Sequence, residues 1–247
     1  RGFVSDQTGL SDVLLRLGDY RAAAAAGQAA VDMTGRLLEL KPGDPVYLTD
    51  RLVALNRLGD AQNATGEINA ALSSFRAMAE LGYVLSSADP WNRQRALNYT
   101  IALERVGGVL AKKEDFDGAR TELQKAVDLR TWLAGQDPES LGAQRDLALT
   151  LQSLADIHFE QQAYDLGLPL EEQALGILRW VLTRKPGDSA ATIDVVVALD
   201  RLASYYAEPA PLLREALGLL EALQAEGRLP EGFDEWMANY RNALGLP

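Results

Sequence analysis

The chain has 247 residues, 47% of them hydrophobic, with a formal net charge of −11 at pH 7 and no cysteine. That is enough apolar material for a sizeable core. The acidic balance speaks against nucleic acid and anionic membrane surfaces, whose binding relies on lysine and arginine neutralising phosphates, and the lack of cysteine excludes disulfides and thiolate metal sites. No run of about 18 apolar residues is present, so no membrane-spanning helix is expected. The opening Arg1-Gly2-Phe3-Val4 is not a signal peptide, and a cytoplasmic location is expected.

Taken in chain order, the pattern is one of paired helices. Leu10 and Leu14 belong to a first helix that breaks at Leu17-Gly18-Asp19-Tyr20. Glycine suits the left-handed position after a helix, and aspartate suits the N-cap of the next. The alanine run Ala22 to Ala26 reads as the interior of that second helix, because alanine is the best helix former. The second pair turns less clearly, at Asn63-Ala64-Thr65-Gly66. In the third, Leu97, Ile101 and Leu103 lead to Val106 and Leu110, mostly three or four residues apart, Lys113-Glu114-Asp115 makes a short polar turn, and Phe116, Ala119, Leu123, Ala126 and Val127 start again. The fifth pair replaces its turn by Glu208-Pro209-Ala210-Pro211. Gly227 to Gly232 then forms a loop, and Asp234 is placed to cap a last helix with Trp236, Tyr240, Ala243 and Leu244 on one side. The end of an open solenoid needs covering, so this is expected to be a capping helix.

The pairs repeat. Pro42, Pro90, Pro138 and Pro186 recur every 48 residues, and proline punctuates helices because it lacks the N–H and clashes with the preceding turn. In the same register Leu10, Leu58, Val106, Leu154 and Leu202 form an apolar column, followed by a small one, Ser11, Gly59, Gly107, Ala155 and Ala203. A third column is Tyr20, Ile68, Phe116, Tyr164 and Leu212, and a fourth is Ala30, Met78, Ala126, Ala174 and Ala222. Recurrence at such a period means stacked supersecondary units. Small residues mark the places where two helices cross closely, since a bulkier side chain would hold them apart.

These residues resemble the tetratricopeptide (TPR) family. The first copy carries Leu10, Ser11, Leu14, Gly18-Asp19-Tyr20, Ala23, Ala30 and Pro42; the third carries Val106, Gly107, Leu110, Asp115-Phe116, Ala119, Leu123, Ala126 and Pro138. The resemblance implies an all-α, right-handed α-solenoid of about five antiparallel helix hairpins. It forms a single domain over 1–247, with repeats near 1–42, 43–90, 91–138, 139–186 and 187–230 and a capping helix at 233–244. The usual TPR period is about 34 residues, so both helices of each pair are expected to be about two turns longer. Long units of this kind are similar to those attached to bacterial signalling proteins, kinases and caspase-like peptidases. Arg1 shares the phase of Arg145, inside a first helix. That phase suggests a start part-way through a repeat, and with it an upstream domain or a homo-oligomer.

No catalytic constellation is visible, and no enzyme activity, cofactor or metal is expected. His158 is the only histidine and falls in the column of Leu14, Leu110 and Tyr206, which faces helix packing. Glu114-Asp115-Phe116-Asp117-Gly118 lacks the alternating acidic positions of a calcium loop and coincides with a turn. Gly107-Gly108 lacks the spacing of a phosphate loop. Trp132 and Trp180, one period apart, read as stacking between neighbouring units.

In TPR-like solenoids the first helix of each pair lines a concave surface. Two polar columns are expected there: Thr8, Asn56, Glu104, Gln152 and Asp200, and, four residues on, Asp12, Asp60, Gly108, Asp156 and Ser204. Neither contains lysine or arginine. One reading is an ordinary solvated face; the other is an acidic trough for a basic or polar protein segment, with Asp12, Asn56, Asp60, Glu104, Gln152, Asp156 and Asp200 as candidate contacts. The family's basic clamp on a C-terminal carboxylate needs lysine where this chain has Asp12, Asp60 and Asp156, so that ligand class is not expected. Arg57, Arg105 and Arg201 form a neighbouring column and are expected to pair with Glu104, Asp60 or Asp200. The functional expectation is a protein-binding scaffold; the alternative is a regulatory or self-assembly segment of a larger bacterial effector.

Overall fold

A computed structural model describes residues 1–246. It contains α1 (Gly2–Leu17), α2 (Tyr20–Leu40), α3 (Pro45–Ala64), α4 (Ile68–Ala88), α5 (Arg93–Lys112), α6 (Phe116–Gln136), α7 (Leu141–Glu160), α8 (Tyr164–Arg184), α9 (Ser189–Ala203), α10 (Ala210–Ala225) and α11 (Phe233–Leu244). There is no strand among the described residues. The helices gather into two compact units, Arg1–Leu133 and Ala134–Pro247. Within each unit, helices adjacent in sequence pack on one another. No helix is long and apolar enough to cross a membrane among the described residues.

The helix starts are written locally. Gly18 takes φ 79, which favours glycine, and closes α1; Asp19 then caps α2 by accepting from the Ala22 N–H. Before α3, α5, α7 and α9 a proline is followed, two residues on, by a capping side chain. Asp44 accepts from the Val46 N–H at 2.9 Å, Asn92 from Arg95 at 3.2 Å, Ser140 from Ala143 at 3.4 Å and Asp188 from Ala191 at 3.0 Å. The supposed calcium segment belongs to the same class: Asp115 accepts from the Gly118 N–H at the start of α6.

The small column is where helices meet. Ser11 is fully buried and its hydroxyl donates to the Ala23 carbonyl at 2.9 Å. A Cβ on Gly59 would stand 2.5 Å from the Phe75 ring, and one on Gly107 2.7 Å from Leu123. Ala155 is 0% exposed. Large side chains fill the space beside these contacts. Leu58, Val106, Leu154 and Leu202 are at most 5% exposed, each contributing about 1.5–3 kcal/mol by burial. Leu10, in the same column, is 46% exposed. Gly27 of α2 presses on Leu58, and α1 has no such helix before it among the described residues. The Tyr20 column is less buried than its apolar character suggested, with Tyr20 and Tyr164 both exposed.

One expectation is corrected. Asp234 does not cap α11: Gly232, at φ 89, holds the N-cap position and Asp234 lies in the first turn. There its carboxylate accepts from Gln224 at 3.3 Å. The buried face of α11 is Met237 and Tyr240; Trp236 is half-buried and Ala243 exposed.

Candidate functional site

In the first unit the predicted carboxylates lie on α1, α3 and α5, interleaved with arginines. Asp12 pairs with Arg16 at 3.0 Å, one turn along α1, and with Arg57 of α3 at 3.3 Å. Asp60 takes Arg57 at 3.8 Å and Arg105 of α5 at 3.3 Å. The pattern follows from register: Arg57 stands three residues before the acid of its own helix, so its long side chain reaches both that acid and the one on the preceding first helix. Burial pushes the Asp60 carboxyl up and Asp12 adds to the rise, while Arg105 and Arg57 pull the other way. Glu104 is held from the second helix of its own pair, by both Nε and Nη2 of Arg130 at 3.0 and 3.2 Å. Asn56 is half-buried, and its Oδ1 has no hydrogen-bond partner among the described residues.

In the second unit the network turns inward. Glu171 of α8 is 0% exposed. Its carboxylate accepts from Gln152 at 2.7 Å and from Nε and Nη2 of Arg201, both at 2.9 Å. Arg201 Nη2 also donates to Asp156 at 2.6 Å. Burial pulls the Arg201 guanidinium down, but the hydrogen bonds to Glu171 and Asp156 outweigh it and hold the group above the ordinary arginine value. Gln152 is therefore a packing residue at 8% exposure, with its amide turned to Glu171. Asp156 keeps 52% of its side chain exposed. Asp200 lies beside the Tyr240 phenol, which burial and that carboxylate push above its usual range.

The arginine column thus pairs as expected at Arg57–Asp60 and Arg105–Asp60; Arg57 adds Asp12, and Arg201 takes Asp156 and Glu171 instead. Nothing in the periodic columns announced Glu171, because the equivalent positions hold Phe75 and Leu123, both buried and apolar. His158 is buried at 8% in α7. Trp180 carries Arg184 over its ring, 5.0 Å from the centroid. A cavity of about 470 Å³ opens in the second unit between α8, α9 and α10, floored by Leu182, Val195, Leu219 and Leu223. The charges at its rim are already matched as Arg179–Glu215 and Arg228–Glu226. Among the described residues no group of acidic or histidine side chains is placed to hold a metal ion.

No family model matches the chain, and no curated protein matches it. Solved structures do. The apo form of RapI superposes with a TM-score of 0.64 at 13% identity, over 99% of this chain and 77% of RapI. The nearly identical TPR-like repeats of a Podosopora anserina kinesin light chain give 0.56 at 14% identity, over 90% and 96% of the two chains. The thermophilic TPR protein TTC0263 of Thermus thermophilus gives 0.53 at 19%, over 98% and 100%. With its paired helices, small-residue crossings and absence of strands among the described residues, the chain has the TPR-type helical-repeat fold.

Proposed function

We propose that the chain is a protein-binding scaffold, not a catalyst, and that it takes a basic or polar segment of its partner on the first-helix faces of its units. The observation that supports this reading is the disposition of charge. Arg57, Arg105 and Arg201 are each engaged by a carboxylate, while Asp12 and Asp156 keep 33% and 52% of their side chains open to solvent. A guanidinium or ammonium can add to the open side of such a carboxylate without displacing the resident arginine. The contact is narrower than the sequence columns implied. On the first unit its centre is Asp12 and Asp60, with Glu104 and Asn56 beside them; on the second unit it is Asp156 and Asp200, with Gln152 supporting from beneath.

The test is fluorescence anisotropy with a labelled hexa-arginine peptide at low salt, comparing the wild type with an Asp12→Lys/Asp60→Lys/Asp156→Lys variant that circular dichroism shows to be fully helical. The expected result is saturable binding by the wild type and a loss of at least tenfold in the variant. Equal affinities would make these carboxylates mere solvated partners of their arginines.

A further inference from the structure

The repeat fails at the end of α9, and the failure leaves an aromatic shelf. Helix α9 has 15 residues where α3, α5 and α7 have 20. Pro209 holds the N-cap position of α10 and Pro211 lies in its first turn, where proline suits a helix start. Tyr205 and Tyr206 sit in the turn. The residues at the same register in α5 and α7 are Val109, Leu110, Ile157 and His158, at most 8% exposed; Tyr205 and Tyr206 are 41% and 37% exposed.

Tyr205 does not hang free. Its ring stacks on Phe159 with centroids 4.2 Å apart and 25° between planes, and Tyr164 stands 5.7 Å from it. Phe159 is fixed from behind by Gly167 of α8, where a Cβ would come within 2.4 Å of the ring. The shelf is therefore a rigid base of Phe159 carrying two exposed phenols. The charges around Tyr205 are the carboxylates of Asp156 and Glu160 and the guanidinium of Arg201. Arg201 is committed to Asp156 and Glu171. Glu160, exposed at the end of α7, makes no ion pair among the described residues. An aromatic face beside an open carboxylate is the chemistry that holds an organic cation.

We infer that the Phe159–Tyr164–Tyr205 shelf binds a lysine or arginine side chain of the partner protein, the cation lying on the Tyr205 ring and within reach of Glu160. The inference rests on the reading that the partner segment is basic, but it places a contact off the acidic columns. The probe is again the labelled hexa-arginine peptide, with hexa-citrulline as its uncharged isostere. Tyr205→Ala and Tyr205→Leu are expected to weaken hexa-arginine binding by roughly threefold to tenfold. Tyr205→Phe, which keeps the ring, stays within twofold of the wild type, and hexa-citrulline binds at least tenfold more weakly. Leucine preserves the apolar cover over Phe159, so a purely structural role would be rescued by Tyr205→Leu. That rescue, an unchanged affinity in Tyr205→Ala, equal binding of hexa-citrulline, or no binding by the wild type would each overturn the inference. An Asp12→Lys/Asp60→Lys variant, confined to the first unit, separates the two readings. Loss there with Tyr205→Ala unaffected leaves the acidic face standing and removes the shelf; the reverse removes the face and keeps the shelf.

Discussion

Two glycines on neighbouring first helices make opposite predictions. Gly59 lies inside α3, and an added Cβ would meet the Phe75 ring at 2.5, 2.7 and 2.8 Å. Phe75 is itself 1% exposed, so its ring has no free volume to rotate into. Gly108 lies inside α5 with nothing within 4 Å of its would-be Cβ. Replacing either by alanine recovers about 1 kcal/mol of helix propensity. At Gly59 that gain is set against an overpacking cost of about 1–3 kcal/mol. Gly59→Ala should therefore be neutral to destabilising by about 2 kcal/mol, and Gly108→Ala stabilising by about 1 kcal/mol. The assay is urea unfolding followed by circular dichroism at 222 nm. With an m-value of about 2 kcal/mol per M, the two midpoints should differ by about 0.5–1.5 M. A Gly59→Ala/Phe75→Leu double variant should lose less than the sum of its single variants, because the collision is pairwise. Equal midpoints for Gly59→Ala and Gly108→Ala would refute the claim that the small-residue column is set by helix contact.

Two further stability predictions accompany the two binding tests described above. Arg201→Met strips the fully buried Glu171 of its guanidinium and should cost about 3–5 kcal/mol. Arg201→Met/Glu171→Leu, which restores the apolar residue found at Leu123, should return most of that loss in urea midpoints. Asp188→Ala should lower stability at neutral pH by removing the cap on the Ala191 N–H, which holds the Asp188 carboxyl below its usual range. The sign follows from linkage. A carboxylate with a depressed folded-state value stabilises above its unfolded value of 3.8, and the contribution disappears as pH falls through the folded value. The difference between wild type and Asp188→Ala should thus shrink on acidification, and thermal melts from pH 7 to pH 2 check it.

The paired helices and their crossing points were legible because they depend on residue size at fixed register. Gly59, Gly107 and Ala155 share one requirement, closeness, and the sequence repeats it. The helix caps were harder to see, although they recur at the same register. Asp44, Asn92, Ser140 and Asp188 are interchangeable as acceptors but not identical as letters, so they form a column of function and not of identity. Glu171 and Tyr205 were illegible for a further reason. Each departs from its column, an acid among apolar residues and an exposed tyrosine where Ala61, Val109 and Ile157 are buried, and a periodic reading averages such departures away. The acidic columns could be read from register, but not their resident arginines' full pairing, because whether an arginine turns along its helix or across to the next depends on side-chain geometry that register alone does not specify.

The capping column has a consequence for how a protein of this type changes length. Each start signal is complete within a few residues: a proline that stops the old helix, one residue to turn on, and an acceptor that receives the first free N–H of the new one. No distant partner is consulted. A segment cut between two such signals carries the instructions for both of its ends, so duplicating or deleting it during evolution requires no new junction chemistry, only a neighbouring surface of matching size.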